Sequence, residues 1–240
     1  MAQKLRHTSP DLLIHPGETI AEVINDRGIS QKELAIRTGF TEKHISTVLN
    51  GKKSISAKFA LRLEIALDIP SMFWENLQIN YDLEVERFKE TNDITHEELE
   101  IAQAIADPVE TIAQKSLETK SGPLCVWSLR QLLGVSQLTS IDALNTGFYR
   151  GQFEVSNNPY IMYAWQYLSE KACESQTPAT LDIDKLHADL DSLKRIMLEP
   201  SEKHVSEITR FLNAHGVLFT VNQHVHGAPV HGLTVKTKAN

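Results

Sequence analysis

Residues 30–51, SQKELAIRTGFTEKHISTVLNG, contain the clearest structural signals of the sequence. Ser30 followed three residues later by Glu33 has the pattern of a capping box, which begins a helix. Gly39 can adopt the positive φ that a tight turn between two helices requires. Thr41 can cap the helix that follows this turn. The spacing predicts two short helices joined by a turn, the helix-turn-helix arrangement of many DNA-binding proteins.

The second helix of this predicted pair has one apolar face and one polar face. Ile45 and Val48 would pack on the core. The outward-facing set is Glu42, Lys43, His44, Ser46 and Thr47. Because these polar side chains are fairly short, the helix could enter the major groove of DNA. We therefore predict that these five residues read base edges.

Residues near the ends of both helices would contact the DNA backbone. Helix N-termini offer backbone N–H groups to phosphate, and polar or basic side chains after a recognition helix can reach the sugar-phosphate strand. The predicted phosphate contacts are Ser30, Gln31, Thr41, Asn50, Lys52 and Lys53. The alternative is an ordinary helical hairpin with a solvated polar face.

The distribution of charge favours the DNA-binding interpretation over that alternative. The whole chain has 24 Lys and Arg against 31 Asp and Glu, a net charge of −7. Residues 30–62 carry seven basic and two acidic side chains, a balance of +5. Residues 89–240 carry 13 basic and 19 acidic side chains, a balance of −6. A basic region on an acidic chain marks a surface where a polyanion can bind.

Helix signals continue on both sides of residues 30–51. Pro16 can begin a first helix, Ser56 can cap a fourth, and Pro70 precedes a fifth. Residues 1–90 are therefore predicted to form a small all-α domain of five helices, the helix-turn-helix DNA-binding domain. Residues 89–96 are polar and resemble a linker.

Residues 91–240 are predicted to form a second, mostly helical domain that ends in short β-strands. The expected helices cover about 96–106, ending before Pro108, and then about 124–133, 159–174, 184–198 and 201–214. The β-branched and aromatic run at 217–221 and a second short run at 233–235 predict a terminal pair of strands. We expect this domain to serve dimerisation, partner binding or effector binding.

Several motifs of the N-terminal region together resemble a known family. They are HPGE at 15–18, the helix-turn-helix, LNGK at 49–52, FWENLQ at 73–78 and YDL at 81–83. The region 13–88 resembles antitoxins of the HigA/VapI type, in the Xre (Cro/C1-like) superfamily. The resemblance implies a five-helix, lambda-repressor-like domain that dimerises on a palindromic operator, usually its own promoter. It also implies a toxin partner, typically an mRNA-cleaving ribonuclease.

The C-terminal half is similar to a different group of regulators. Its motifs are LGV at 133–135, YIMYAW at 160–165, GVLF at 216–219 and GAPVHGL at 227–233. They resemble longer Xre regulators that carry an ImmA/IrrE-type metallopeptidase region, in which a strand leads into a helix with a His-Glu-x-x-His zinc motif. This sequence ends at Asn240 before such a helix, so the resemblance covers the approach to the active site only. The chain is either naturally short or part of a longer product.

The remaining candidates for chemistry are weak. His96 and Glu97 begin a near match to His-Glu-x-x-His, but Glu100 stands where the second histidine belongs. His224 and His226 would share one face of a strand and could chelate a metal, although such histidines are more often solvated. We therefore expect neither enzymatic activity nor a metal or other cofactor.

The composition of the chain indicates the cellular compartment in which we expect the protein. No run of 18 apolar residues is present, and the N-terminus lacks the apolar segment of a secretory signal. The only cysteines, Cys125 and Cys173, match no zinc or redox motif. These features predict a cytoplasmic protein with reduced, buried thiols.

Taken together, the residues predict a sequence-specific DNA-binding protein, and the resemblance implies a transcriptional repressor that binds double-stranded operator DNA as a homodimer. The resemblance adds the expectation of an autoregulating antitoxin with a toxin partner. Two alternatives stay open, an effector-sensing Xre regulator and the N-terminal part of a longer ImmA/IrrE-type metallopeptidase regulator.

Overall fold

The computed structural model describes residues 13–145, 158–198, 203–225 and residue 234. The chain divides into two compact units, Met1–Asp93 and Ile94–Asn240. The described parts of both units are built from α-helices, which confirms the predicted mainly α fold. None of the described helices is long and apolar enough to cross a membrane.

The first unit consists of five helices. They are α1 Pro16–Asp26, α2 Gln31–Thr38, α3 Glu42–Leu49, α4 Ala57–Leu67 and α5 Ser71–Asn92. Three begin at the predicted caps, because Ser30, Thr41 and Ser56 each accept a hydrogen bond from a backbone N–H in the first turn of their helix. All five helices of the predicted N-terminal domain are therefore present.

One apolar core joins these five helices. Each contributes a side chain with no solvent exposure, and these are Ile20, Leu34, Ile45, Leu63 and Trp74. Full burial of a side chain of this size stabilises a fold by about 1.5–3 kcal/mol. The core therefore fixes the positions of α2 and α3 relative to the rest of the unit.

The fifth helix is longer than the sequence predicted. It continues to Asn92, so most of the expected linker at 89–96 is helical. Only residues 93–95 separate it from α6, whose first turn is capped by Thr95. The polar composition of this region marks a solvated helix end rather than an extended linker.

The second unit contains seven described helices. They are α6 His96–Ala113, α7 Gly122–Leu133, α8 Ile141–Asn145, α9 Pro159–Cys173, α10 Ile183–Ala188, α11 Leu190–Leu198 and α12 His204–Ala214. A short 3-10 turn, Leu138–Ser140, precedes α8. The core is formed mainly by apolar faces of α6, α7 and α9, with Ile105, Leu129 and Ala164 fully buried.

A buried ion pair joins α6 to α7 inside this core. Glu98 and Arg130 are 3% and 6% exposed. Arg130 Nε donates to Glu98 Oε1 at 3.0 Å, and the same oxygen accepts the backbone N–H of Leu138 at 2.8 Å. Because the two charges are buried together, removing either one would leave the other uncompensated.

Proline does not end α6, contrary to the prediction. Pro108 lies inside the helix and removes one backbone hydrogen bond, that to the carbonyl of Ala104. Ala104 is exposed, so water can bond to its carbonyl. The helix continues because Val109 and Ile112 beyond the proline are buried in the core. The predicted helix at 184–198 is likewise wrong as a single element, because it breaks at Asp189 into α10 and α11.

The predicted strand at 217–221 is not formed in the described structure. The backbone of Phe219 instead bonds to the side-chain amide of Gln176, which donates to the Phe219 carbonyl at 2.8 Å and accepts its N–H at 3.2 Å. Val217 N–H bonds to the Leu212 carbonyl at the end of α12. Apart from Thr234, the second predicted strand at 233–235 lies outside the described residues.

Candidate nucleic-acid interface

The turn between α2 and α3 has the geometry that the sequence predicted. Gly39 ends α2 with φ +69°, in the left-handed region that favours glycine. Arg62 on α4 donates to the carbonyl of Thr38 at 3.1 Å, so the last turn of α2 is tied to a third helix. This arrangement holds α2 and α3 in a fixed helix-turn-helix.

The C-terminal end of α3 is held by close packing against the start of α1. A Cβ at Gly17 would lie 2.1 Å from the carbonyl oxygen of Val48. Beside it, His15 caps α1 by accepting the Gly17 N–H through Nδ1 at 2.9 Å. The ring of His15 meets the edge of Tyr81 on α5. The HPGE segment therefore holds the C-terminal end of α3 against the core.

Four of the five predicted base-reading residues lie on the solvent side of α3. Glu42 and Lys43 are exposed, and Ser46 and Thr47 are half-buried. The Thr47 hydroxyl donates to the carbonyl of Lys43 at 2.5 Å. Ser46 Oγ accepts from the Asn50 side-chain amide at 3.3 Å. This surface therefore offers one carboxylate, one ammonium, hydroxyl lone pairs and a methyl group.

His44 is half-buried, like Ser46 and Thr47, but its ring packs against aromatic side chains of the core. Its ring stacks on Phe40 with centroids 4.4 Å apart and meets the edge of Phe59 at 5.1 Å. The aromatic neighbours draw the apolar ring inward. The helical period alone could not show this, because it places position 44 at the boundary between the two faces.

The predicted phosphate contacts surround the outward face of α3. Ser30 and Thr41 use their oxygens as acceptors for helix capping, so each hydroxyl hydrogen can still be donated to a phosphate. Gln31 is exposed in the first turn of α2. Asn50 is exposed but already donates to the carbonyl of Ser46 at 2.7 Å. Lys52 and Lys53 are exposed in the loop after α3.

The basic side chains of this region differ in whether they have partners. Arg37 is paired with Glu33 at 2.5 Å and Arg62 is bonded to Thr38. Among described residues, no carboxylate pairs with the other five, which are Lys32, Lys43, Lys52, Lys53 and Lys58. Ammonium groups without carboxylate partners are available to neutralise DNA phosphates.

Sequence reasoning missed the residue that anchors the loop carrying these lysines. Gln78 on α5 is buried, and its Oε1 accepts the backbone N–H of Ile55 at 2.8 Å. Its amide nitrogen donates to Asp82 at 2.8 Å. A glutamine inside the FWENLQ segment gave no signal of this role, because the bond spans 23 positions of the chain.

The other candidates for chemistry form no site in the described structure. His96 pairs with Glu100 at 3.3 Å on an exposed helix start. His224 is exposed, and His226 lies outside the described residues. No group of three His, Cys, Asp or Glu side chains comes together in the described parts of the chain. Cys125 and Cys173 are buried free thiols, and burial raises the pKa of both.

Comparison with known proteins identifies the N-terminal region. Residues 20–74 match the Helix-turn-helix family HTH_3, which confirms the predicted Xre-type DNA-binding domain. Virulence-associated protein A' of Dichelobacter nodosus is 39% identical over 70 residues, which are 29% of this chain and 61% of that protein. The chain therefore spans less than two thirds of the length of this curated relative.

Similar solved structures cover the same region. An addiction module antidote protein of the HigA family from Coxiella burnetii is 35% identical and covers 34% of this chain and 89% of its own, with a TM-score of 0.32. The antitoxin HigA of Pseudomonas aeruginosa, solved with the higBA promoter, is 32% identical and covers 35% of this chain and 92% of its own, with a TM-score of 0.33.

Proposed function

We propose that this chain, in which residues 20–74 form a DNA-binding helix-turn-helix domain of the HTH_3 family, is a transcriptional repressor that binds operator DNA as a homodimer. One observation supports the proposal above the others. Glu42 and Lys43 are exposed on the outward face of α3, and lysines without carboxylate partners lie on α3 and in the loop that follows it.

The chemistry of this face suits direct reading of base pairs. Lys43 can donate to guanine O6 and N7, and Glu42 can accept from the cytosine amino group. Because Thr47 has already committed its hydroxyl hydrogen to Lys43 O, it offers an acceptor to an amino group and its methyl to thymine. Ser46 lies one position earlier and would contact the edge of the site.

Affinity and register would come from the backbone contacts. Ser30 and Gln31 at the start of α2 and Thr41 at the start of α3 would bind phosphates, aided by the positive ends of the helix dipoles. Asn50, Lys52 and Lys53 would bind a phosphate strand beyond the end of α3. These contacts carry no sequence information, so they would act equally on every DNA.

We propose further that the chain is the autoregulating antitoxin of a toxin–antitoxin pair, acting in the cytoplasm without catalytic activity. Support comes from the motifs at 15–18, 49–52, 73–78 and 81–83, which resemble the HigA/VapI type. The balance of −6 over residues 89–240 would suit a basic protein partner. The activity of the whole chain would then depend on both units.

An effector-sensing repressor is the second candidate, and a feature of the second unit favours it. A groove of about 780 Å³ lies along α12 between Arg210, Asn213 and the segment 177–179. Such a groove could admit a small molecule. A sensor would release its operator when that molecule binds, whereas an antitoxin would copurify with the product of a neighbouring gene.

Footprinting of the purified chain on DNA upstream of its gene tests the main proposal. A homodimer predicts two protected half-sites related by a two-fold axis, with their centres about one helical turn apart or a multiple of it. Protection of a single half-site would contradict the dimer. Uniform weak protection of all DNA would contradict operator recognition.

A further inference from the structure

His44 is distinguished from its neighbours on α3 by its two ring nitrogens, of which one has a polar partner and the other has none. Its Nδ1 lies 3.3 Å from Nζ of Lys53, nine residues along the chain. Its Nε2 is buried and has no hydrogen-bond partner among the described residues. A side chain that reads bases would present a free polar atom, whereas Nδ1 of this ring faces Lys53 and Nε2 is buried.

The contact with Lys53 fixes the protonation of the ring. A lysine ammonium can only donate, so Nδ1 must be the acceptor, and the hydrogen of a neutral ring must lie on Nε2. Burial, and after it the neighbouring charge of Lys53, lower the pKa of His44. The neutral ring is therefore the form present at physiological pH.

The ring itself is held by the core. It lies between Phe40, in the turn after α2, and Phe59, on α4. The Nδ1 acceptor is therefore held in one place. Without it, the Lys53 ammonium in its exposed loop would be unrestrained. Lys52, the preceding residue, is also exposed, and its ammonium forms no ion pair with the described carboxylates.

We propose that His44 is a positioning residue, which holds the Lys53 ammonium beside the end of α3 so that it meets a DNA phosphate, and that His44 does not itself read a base. An ammonium has three donors. With one directed to His44, two remain for phosphate oxygens. A lysine restrained before binding loses less rotamer freedom when it binds. This inference rests on the proposed function.

The test is a double-mutant cycle on the full chain, measured by titration of its upstream DNA. His44→Phe keeps an aromatic ring but removes the acceptor. We expect it to weaken binding by about fivefold in the wild-type background and to have no further effect in Lys53→Ala. Lys52→Ala is the matched control. In that background, His44→Phe should weaken binding by the same factor as in the wild type. None of these variants should change base preference.

Two further measurements distinguish positioning from a merely structural role. His44→Asn should recover part of the lost affinity, because its side-chain oxygen can accept near the position of Nδ1. In the free protein, the ¹⁵N chemical shifts of His44 should report a neutral ring with the hydrogen on Nε2, and Lys53→Ala should shift the Nδ1 resonance. No recovery in His44→Asn, or an Nδ1 resonance indifferent to Lys53, would overturn the proposal.

The outcomes separate this inference from the proposed function. If the wild type binds DNA, but the loss of affinity in the double variant is the product of the losses caused by His44→Phe and Lys53→Ala alone, the positioning role is wrong. A change of preference at one base pair in His44→Phe would show that His44 reads that base. If the wild type does not bind its upstream DNA at all, the proposed function fails, and the inference fails with it.

Discussion

Gly17 lies where the first turn of α1 meets the carbonyl end of α3. A Cβ there would come 2.1 Å from Val48 O and 2.9 Å from Val48 C, both backbone atoms that cannot move aside without moving α3. We expect Gly17→Ala to destabilise the first unit by about 1–3 kcal/mol, because overpacking outweighs the better helix propensity of alanine. Urea unfolding of the full chain measures this.

The matched control for Gly17→Ala is Gly28→Asn. Gly28 has φ +66° and nothing within 4 Å of its ideal Cβ. Asparagine tolerates this conformation better than most residues, so the change should cost much less than Gly17→Ala. Equal costs at both positions would show that the close approach to Val48 does not limit position 17.

His15 gives the first unit a dependence on pH. Burial lowers the pKa of His15 below its ordinary value of 6.5, although the nearby Asp82 and Glu18 oppose this. The unfolded chain therefore binds the proton first as pH falls, so the stabilisation is present above about pH 6.5 and is lost below it. We expect the amides of α1 and α3 to exchange faster at about pH 5.5 than at about pH 7.5, after correction for intrinsic rates.

The control variant for this pH effect is His15→Asn, which keeps a capping acceptor but does not titrate. This variant should reduce the difference in amide exchange rate between the two pH values. It should not abolish that difference, because burial also lowers the pKa of His44. His96→Asn, at a side chain 86% exposed in the second unit, should leave α1 and α3 unaffected. If His15→Asn left the difference in exchange rate between the two pH values unchanged, His15 would not be the source of the pH dependence.

At the scale of elements, the outward face of α3 and the loop after it should behave differently when mutated. Lys43→Ala or Thr47→Ala should reduce discrimination by roughly 1–3 kcal/mol at one base pair. Lys52→Ala should weaken binding to all DNA and reduce the slope of log K against log salt by about one. Titrations of operator and single-substitution DNAs at several salt concentrations separate the two classes. If both behaved alike, the division into reading and docking residues would be wrong.

The sequence predicted where helices begin far better than what their side chains contact. Ser30 caps its helix as the sequence predicted, and Thr95, followed by Glu98 in the same Ser/Thr-x-x-Glu pattern, caps α6. The glutamates three residues later, Glu33 and Glu98, form ion pairs with Arg37 and Arg130 instead. Capping is local and visible in the sequence, whereas the pairing of Glu98 spans 32 positions and depends on how α6 packs on α7.

The candidate site shows the same division. Helical period and local charge predicted four base-reading positions that lie on the solvent side of α3 and six phosphate positions that are exposed; their contacts with DNA stay predictions. The inward rotation of His44 depends on Phe59, a residue of another helix. The support of the lysine-bearing loop by Gln78 depends on α5. Neither contact could be predicted from the spacing of residues 30–51.

At the scale of the whole molecule, the two units have separate apolar cores. We therefore expect residues 1–93 alone to fold and to keep the base preference of the full chain. If residues 94–240 supply dimer contacts, the fragment should bind a palindromic site more weakly but single half-sites equally well. Circular dichroism and DNA titration measure both properties. The acidic fragment 94–240 is the matched control and should not bind DNA.

An unfolded 1–93 fragment would contradict the independence of the first unit. A folded fragment with altered base preference would instead show that the second unit takes part in reading the operator. Either result would change the role we assign to residues 94–240, whose acidic balance is otherwise expected to oppose non-specific binding to DNA.

The most direct test of the central claim is a mobility-shift titration of the full chain on its own upstream DNA and on scrambled DNA of the same length, at about 150 mM salt. A specific repressor predicts binding to the upstream DNA tighter by about 10³-fold or more. Equal and weak binding to both DNAs would contradict operator recognition by α3 in the isolated protein.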